Sequence, residues 1–450
     1  MRGIGVRREL PALIAGIALG VATGEVPPPD FRVTNMAEVK NLGSFERHFD
    51  FRQYEDYVRS AADAALRPVP LRPDPPPRYF PEVDDFTMSC SMDRTPGGRI
   101  WLAYFGGGDN DKAVLLLTRS DDGGATFSRP LFVHDAGYVD RTHLSTVVGG
   151  MWTDPAGRLW LFFSQSFGYY DGRSGCWYTV CENPDADKPV WSEPVRLWHG
   201  AALNKPTVLA DGSWVLPVAL WDRDKIGIDL ADGYRVPGSR LFPELDELRM
   251  THFFVSRDQG KSWERVGGCR ITEGRTFDEP MLIERRDGSW YLLQRTRTGI
   301  AESVSTDRGR TWSKPAPFQM TAASARFFLR RLASGKLLLV KNSNPDEPAI
   351  RSHLTAFLSD DDGRSWYGGL LLDDRAKVSY PDGFQAPDGR IFIEYDYQRK
   401  GGEILLAVFT EEDVAAGKPV SGRTELRRPV IRTGTSLSTA PVATPAAPKP

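Results

Sequence analysis

The sequence predicts an all-β fold, a six-bladed β-propeller with an N-terminal extension. Three observations predict it: one short turn pattern repeats four times, a second repeats six times, and the region between the flanks holds no long stretch of helical period. The four copies read Ser-x-Asp-x-Gly-x-(Ser/Thr)-(Trp/Phe) and lie at Ser120–Phe127, Ser256–Trp263, Ser305–Trp312 and Ser359–Trp366. Each predicts a tight turn between two strands. The Asp side chain can accept bonds from backbone N–H groups two residues on, and the Gly permits positive φ. The terminal aromatic enters the next strand, where it can plug the gap between neighbouring sheets. The segment Lys188–Pro194 reads as a worn fifth copy with only its end intact.

The second pattern is a glycine turn opening an apolar strand. It occurs at Gly98, Gly157, Gly212, Gly288, Gly335 and Gly389, followed by Arg-Ile-Trp, Arg-Leu-Trp, Ser-Trp-Val, Ser-Trp-Tyr, Lys-Leu-Leu and Arg-Ile-Phe. Six copies at this spacing suit six four-stranded blades. The blades are expected over 85–412, the last near Tyr380–Val408 closing the ring with strands from the N-terminal side. Residues 413–450 are expected to hold a strand remnant and then, from Thr433, a disordered tail rich in Thr, Ala and Pro.

Ahead of the propeller, residues 24–84 read as an extension. A charged stretch, Phe45–Ala65, suits one or two helices, and the Pro-rich run Pro68–Pro81 excludes helix. At the start, Arg2, Arg7 and Arg8 precede an apolar stretch, Leu10–Ala22. Residues 1–23 thus resemble a secretory signal, and the protein is expected to be secreted or periplasmic, otherwise cytoplasmic. The stretch is too short and Gly-rich for a membrane span.

The chain has 450 residues and a formal net charge of −2, which gives no electrostatic footprint for nucleic acid. Its twelve Trp supply ample core and rim plugs, of which Trp152 and Trp177 are candidates to stack on a sugar ring. Four cysteines are too few for a disulfide scaffold. Cys176 and Cys181 are close enough in sequence to pair, and separate thiols are an equal expectation. His143, His252 and His353 fall in separate blades without ligand spacing, so a structural role is expected rather than a metal.

These turns on six blades resemble the sialidase (neuraminidase) superfamily, in a divergent branch with the Ser-x-Asp turns known there as Asp-boxes. The resemblance covers residues 84–412. It implies a β-propeller glycosidase, with the Asp-boxes as structural staples on the outer rim. In Asp278-Glu279-Pro280, followed by Leu293-Gln294-Arg295, it implies that Glu279 is the base and Arg295 one arginine of a carboxylate clamp. Arg297, on the same side of the strand, is a rival for Arg295. Arg351, running into the Asp-box at Ser359, takes a second clamp position. Tyr380, in Ser379-Tyr380-Pro381-Asp382, takes the nucleophile's position. The acid is expected on the loop Gly106–Asp111, as Asp109 or Asp111. One departure stands out: the first clamp arginine is expected near Met88, and no arginine is there. Arg141, Lys205 and Arg326 are the candidate substitutes.

The chemistry is coherent. The oxocarbenium-like state of a carboxylate sugar repels an anionic nucleophile, whereas a neutral Tyr activated by a Glu avoids that repulsion. Guanidinium groups grip a carboxylate bidentately, and a separate carboxylic acid protonates the leaving oxygen. The expected function is removal of a terminal acidic sugar of sialic acid type from a glycan by a retaining mechanism. No cofactor or metal is required, and a monomer is expected. Two alternatives are a hydrolase or lyase for another sugar, such as a uronate, and a non-catalytic carbohydrate-binding propeller. The last predicts that Glu279, Arg295, Arg351 and Tyr380 do not meet.

Overall fold

The computed structural model describes residues 51–230 and 235–434. The signal-like segment 1–23, the start of the extension and the tail beyond 434 lie outside the described residues. The chain divides into two units, Met1–Val58 and Arg59–Pro450. Helix α1 spans Phe51–Ala62, within the stretch expected to be helical, and a 3₁₀ turn follows at Asp63–Leu66. No helix among the described residues is long and apolar enough to cross a membrane.

Six antiparallel sheets follow one another along the chain as the six blades of a propeller. Their first strands are Met88–Arg94, Gly149–Thr153, Thr207–Val208, Arg275–Glu284, Phe328–Arg331 and Val378–Gln385. Each of the six glycine turns sits between the first and second strands of its blade, with φ between +81° and +95°. A residue with a Cβ would be strained there, which is why glycine counts the blades. Blade 2 carries in addition a hairpin of Tyr138–Val139 and Thr142–Ser145, paired to the end of Leu159–Phe167.

The ring closes differently from expectation. The sixth blade takes its outermost strand, Glu425–Arg432, from the C-terminal side, beyond residue 412. N-terminal residues reach blade 1 instead, where Arg72–Pro73 pairs with Phe132–His134. The Pro-rich run therefore contributes an edge strand to the propeller, a position where a missing N–H is tolerated.

The four Asp-boxes share one bonding scheme. In the first, Ser120 Oγ donates to Asp122 (2.7 Å) and accepts from Gly124 N–H (2.8 Å). Asp122 then accepts from the N–H and hydroxyl of Thr126, at 2.9 and 2.6 Å. Asp258, Asp307 and Asp361 make the same pairs of bonds with Ser262, Thr311 and Ser365. The backbone donor thus lies four residues on, not two, because two successive left-handed residues fold the turn tightly: Gly123 and Gly124, Gln259 and Gly260, Arg308 and Gly309, Asp362 and Gly363. The serine and threonine hydroxyls pull Asp258 and Asp307 down to about 2. The box aromatics join blades. Trp312 of blade 4 stacks on Phe253 of blade 3 at 4.6 Å, and Trp263 of blade 3 lies edge-on to Trp160 of blade 2. The worn copy keeps this function, since Trp191 packs against Trp101 and Phe132 of blade 1.

At the axis the blades are tied by a buried polar hub. Lys205 Nζ donates to Met92 O (2.6 Å) and Met151 O (2.8 Å) and pairs with Asp382 at 3.0 Å. Arg326 donates to Cys90 O, Leu203 O, Asn204 and Asp382. Asn204 donates to Pro280 O. Lys205 also pairs with Asp93 at 3.5 Å, so one connected network reaches all six blades and sets two cations against two carboxylates, as burial demands. All four cysteines are buried and free, so Cys176 and Cys181 do not pair. They sit at opposite ends of one strand, Gly175–Cys181.

Candidate active site

Two β-bulges build the site. In blade 4 the pairing register jumps from Asp278 to Met281, and in blade 6 from Ser379 to Asp382. The unpaired residues are Glu279-Pro280 and Tyr380-Pro381. Proline removes a ladder donor, so it fits where pairing is already interrupted. Glu279 has φ +43° and Tyr380 φ +58°, left-handed values at non-glycine residues that precede proline. Each costs on the order of 1–3 kcal/mol and turns the side chain out of the strand's alternation toward the pocket.

The surroundings hold these conformations. Buried Asp278, beside Glu279, is gripped by Arg275 through Nε (3.0 Å) and Nη2 (2.7 Å). Tyr380 O accepts from Ser89 Oγ at 2.6 Å, and Ser379 Oγ donates to buried Asp396 at 2.7 Å. The bulges are thus fastened on both sides.

Their side chains meet. Tyr380 Oη donates to Glu279 Oε1 at 2.5 Å, and Arg295 Nη1 donates to the same oxygen at 2.7 Å. Arg295 Nη1 also lies 3.4 Å from Tyr380 Oη. Glu279 is 1% exposed, and its Oε2 has no hydrogen-bond partner. Ser324 orients two arginines at once: its hydroxyl accepts from Arg295 Nε, while its carbonyl accepts from Arg351 Nε and Nη2 at 3.2 and 2.9 Å. The Arg351 guanidinium then stands 5.8 Å from the Tyr380 ring centre. Burial, then the Glu279 charge, pushes the Tyr380 phenol up to about 12, against the pull of Arg295, Arg399 and Arg351. The phenol is therefore neutral at pH 7, with a carboxylate in place to take its proton.

These residues line one cavity of about 90 Å³, with Met88, Asp109, Val147, Val148, Tyr169, Trp221, Phe277 and Arg399. Glu279, Arg295, Arg351, Tyr380 and Asp109 are brought together. The other sequence candidates are elsewhere. Lys205 and Arg326 lie inside the axial hub, their charges taken by Asp382 and by carbonyl oxygens, and neither lines the cavity. Arg141 is exposed on the blade 2 hairpin. Asp111 does not line the cavity, and its carbonyl receives His143 Nδ1. Arg297 turns outward to Arg275 O and Asp224. Trp152 packs on Trp214, and Trp177 donates to Ala65 O, so neither faces the cavity.

The sequence reading missed Arg399, Trp221, Phe277 and Tyr169. Arg399 Cζ lies 4.4 Å from the Tyr380 ring centre, and its Nη1 pairs with Asp109 at 2.8 Å. Met88, the position that lacked an arginine, forms part of the wall. Among the described residues no cluster of His, Cys, Asp or Glu is placed to hold a metal ion. A larger cleft of about 450 Å³ is lined by Arg285, Arg286, Arg330 and Arg331. Each of these donates to a backbone carbonyl, and no nucleophile–base pair stands there.

The model of the BNR repeat-like domain matches residues 98–393. The chain belongs to this sialidase-like BNR repeat family. Among solved structures it is similar to a Hadza microbial sialidase, with TM-score 0.56 and 17% identity over 73% of this chain and 66% of that one. It is similar also to the sialidase of Trypanosoma rangeli, with TM-score 0.53 and 14% identity over 72% of this chain and 55% of that one. A Dyadobacter fermentans protein of unknown function gives TM-score 0.53 at 15% identity, over 76% of this chain and 97% of that one. At these identities the likeness is one of fold. A stretch of 68 residues is 40% identical to the anhydrosialidase of Macrobdella decora, covering 15% of this chain and 9% of that protein. The chain thus spans less than two thirds of the Hadza and Trypanosoma chains, and its match is about a tenth of the Macrobdella protein.

Proposed function

We propose that the protein is a retaining exo-glycosidase that removes a terminal acidic sugar, of sialic acid type, from a glycan. The observation that carries this reading is the 2.5 Å bond from Tyr380 Oη to Glu279 Oε1 inside a cavity framed by Arg295 and Arg351. Tyr380 attacks the anomeric carbon while Glu279 takes its proton, so no second negative charge faces the sugar carboxylate before the bond forms. Arg295 and Arg351 grip that carboxylate. Asp109, on the loop across the cavity, delivers a proton to the leaving oxygen and then activates water to release the sugar from Tyr380. Trp221, Phe277, Val147 and Val148 give the sugar ring an apolar wall.

Met88 favours a second reading, in which the same machinery acts on another acidic sugar such as a uronate. A panel of glycosides carrying sialic acid or a uronic acid, tested with the wild-type protein and Tyr380→Phe, separates the readings. Release of sialic acid by wild type, lost in Tyr380→Phe, is expected. Release of uronic acid alone favours the second reading. No release from any member of the panel contradicts the assignment as a glycosidase and favours a carbohydrate-binding propeller.

A further inference from the structure

The cavity wall carries three cations, Arg295, Arg351 and Arg399, against two carboxylates, Glu279 and Asp109. Arg399 is unlike the other two arginines. It comes from the turn after Ile391–Tyr397 of blade 6, and that turn is bonded to the segment leading into Met88. Thr87 N–H donates to Arg399 O at 2.8 Å, Gly401 N–H donates to Asp85 O at 2.5 Å, and Phe86 pairs with Lys400. This backbone stapling carries a guanidinium to the wall where Met88 offers no charge.

Its two acidic partners differ in kind. Asp396 is fully buried, 3.0 Å from Nε, and is also held by Ser379. It cannot leave without stranding a charge in the core. Asp109 pairs with Nη1 at 2.8 Å, but its side chain is 39% exposed and it follows Gly107 and Gly108, with φ +81° and +140°. Its other partner in the site is Tyr169 Oη at 3.4 Å. One partner is therefore fixed and the other exchangeable, on a face of Arg399 that opens onto the cavity.

We propose that Arg399 supplies the third guanidinium of the carboxylate clamp, and that the substrate carboxylate takes the place of Asp109 on it. This rests on the reading of the site as one for an acidic sugar. Two carboxylates cannot share one edge of a guanidinium without repulsion, so the incoming group drives Asp109 off. The acid loop is then released only when a carboxylate is bound. Recognition of the acidic sugar and delivery of the acid become one event, and sugars without a carboxylate leave Asp109 locked to Arg399.

The test is binding of the 2,3-unsaturated form of N-acetylneuraminic acid, and of its methyl ester, to the full chain by calorimetry. Arg399→Met is expected to weaken the acid at least about tenfold. Asp109→Asn removes the competitor and is expected to tighten the acid about threefold or more, with no gain for the ester. In the Asp109→Asn, Arg399→Met double variant that gain disappears, because the two side chains act through each other. Unchanged affinity in a folded Arg399→Met, or weaker binding in Asp109→Asn, overturns the proposal while leaving the glycosidase reading standing. Should Arg399→Met not fold, the Asp109→Asn gain and its loss in Arg399→Lys decide the matter. Failure of the wild-type chain to bind the acid at all overturns the acidic-sugar reading and this proposal with it.

Discussion

Replacing Glu279 by glutamine tests the nucleophile–base couple through its pH dependence. The substitution keeps the shape but removes the charge that accepts from Tyr380 at 2.5 Å and from Arg295 at 2.7 Å. Loss of a positioned base costs about 10²–10⁴ in rate, or about 3–5 kcal/mol of barrier. The pH profile adds a second, independent sign. Tyr380 stands at about 12, raised first by burial and then by the Glu279 charge. Removing that charge lowers the phenol's pKa, because Arg295, Arg399 and Arg351 then act on it unopposed. Below that pKa the phenolate fraction rises tenfold for each pH unit. The deficit of Glu279→Gln relative to wild type is therefore expected to shrink about tenfold per unit between about pH 7 and about pH 9. The assay is kcat/KM on a fluorogenic acidic-sugar glycoside. A variant within about threefold of wild type at pH 7, or a deficit that stays flat across this range, would refute the reasoning.

Two further predictions separate the acid and test the staples. Asp109→Asn is expected to lose about 10²–10⁴ in turnover on a natural glycan. It should lose far less on an aryl glycoside whose leaving group needs no proton, while Asp111→Asn, outside the cavity, stays near wild type on both. At the rim, a Cβ on Gly309 would meet Trp290 at 2.5 Å at φ +82°, whereas a Cβ on Gly212, also at φ +82°, would meet nothing within 4 Å. Gly309→Ala should lower the urea midpoint clearly more than Gly212→Ala, whose cost is backbone strain of about 1–2 kcal/mol. Equal losses would mean that the box glycine is there for its backbone alone.

The blades were legible because their turns need glycine and aspartate at fixed positions, and such needs leave a mark in one sequence. Glu279 and Tyr380 were legible for a different reason. The resemblance picked them out, and the structure gives the local reason: Pro280 and Pro381, the sixth and fourth residues of their strands, lie in the bulges that aim Glu279 and Tyr380. Lys205 and Arg326 misled because residue type does not tell the axis from the cavity. Both stand just before a first strand, and the fold sends them to Asp382 in the hub. Arg399, Trp221 and Phe277 lie outside any repeated turn, and blade 6 has no Asp-box to draw notice to its loops. A strand was expected within residues 413–450 but not as part of the last blade, because Glu425–Arg432, with four arginines or glutamates and a proline, lacks the apolar pattern of an inner strand, as suits an outermost one.

The central claim is that Tyr380 becomes covalently bound to the sugar. Its most direct measurement is mass spectrometry of the protein after incubation with 2,3-difluorosialic acid, whose fluorines slow release from the enzyme. A single added difluorosialyl mass on the peptide containing Tyr380, absent in Tyr380→Phe, is the predicted result. The label on another residue, or an unlabelled protein whose substrate turnover proceeds unhindered, would contradict it.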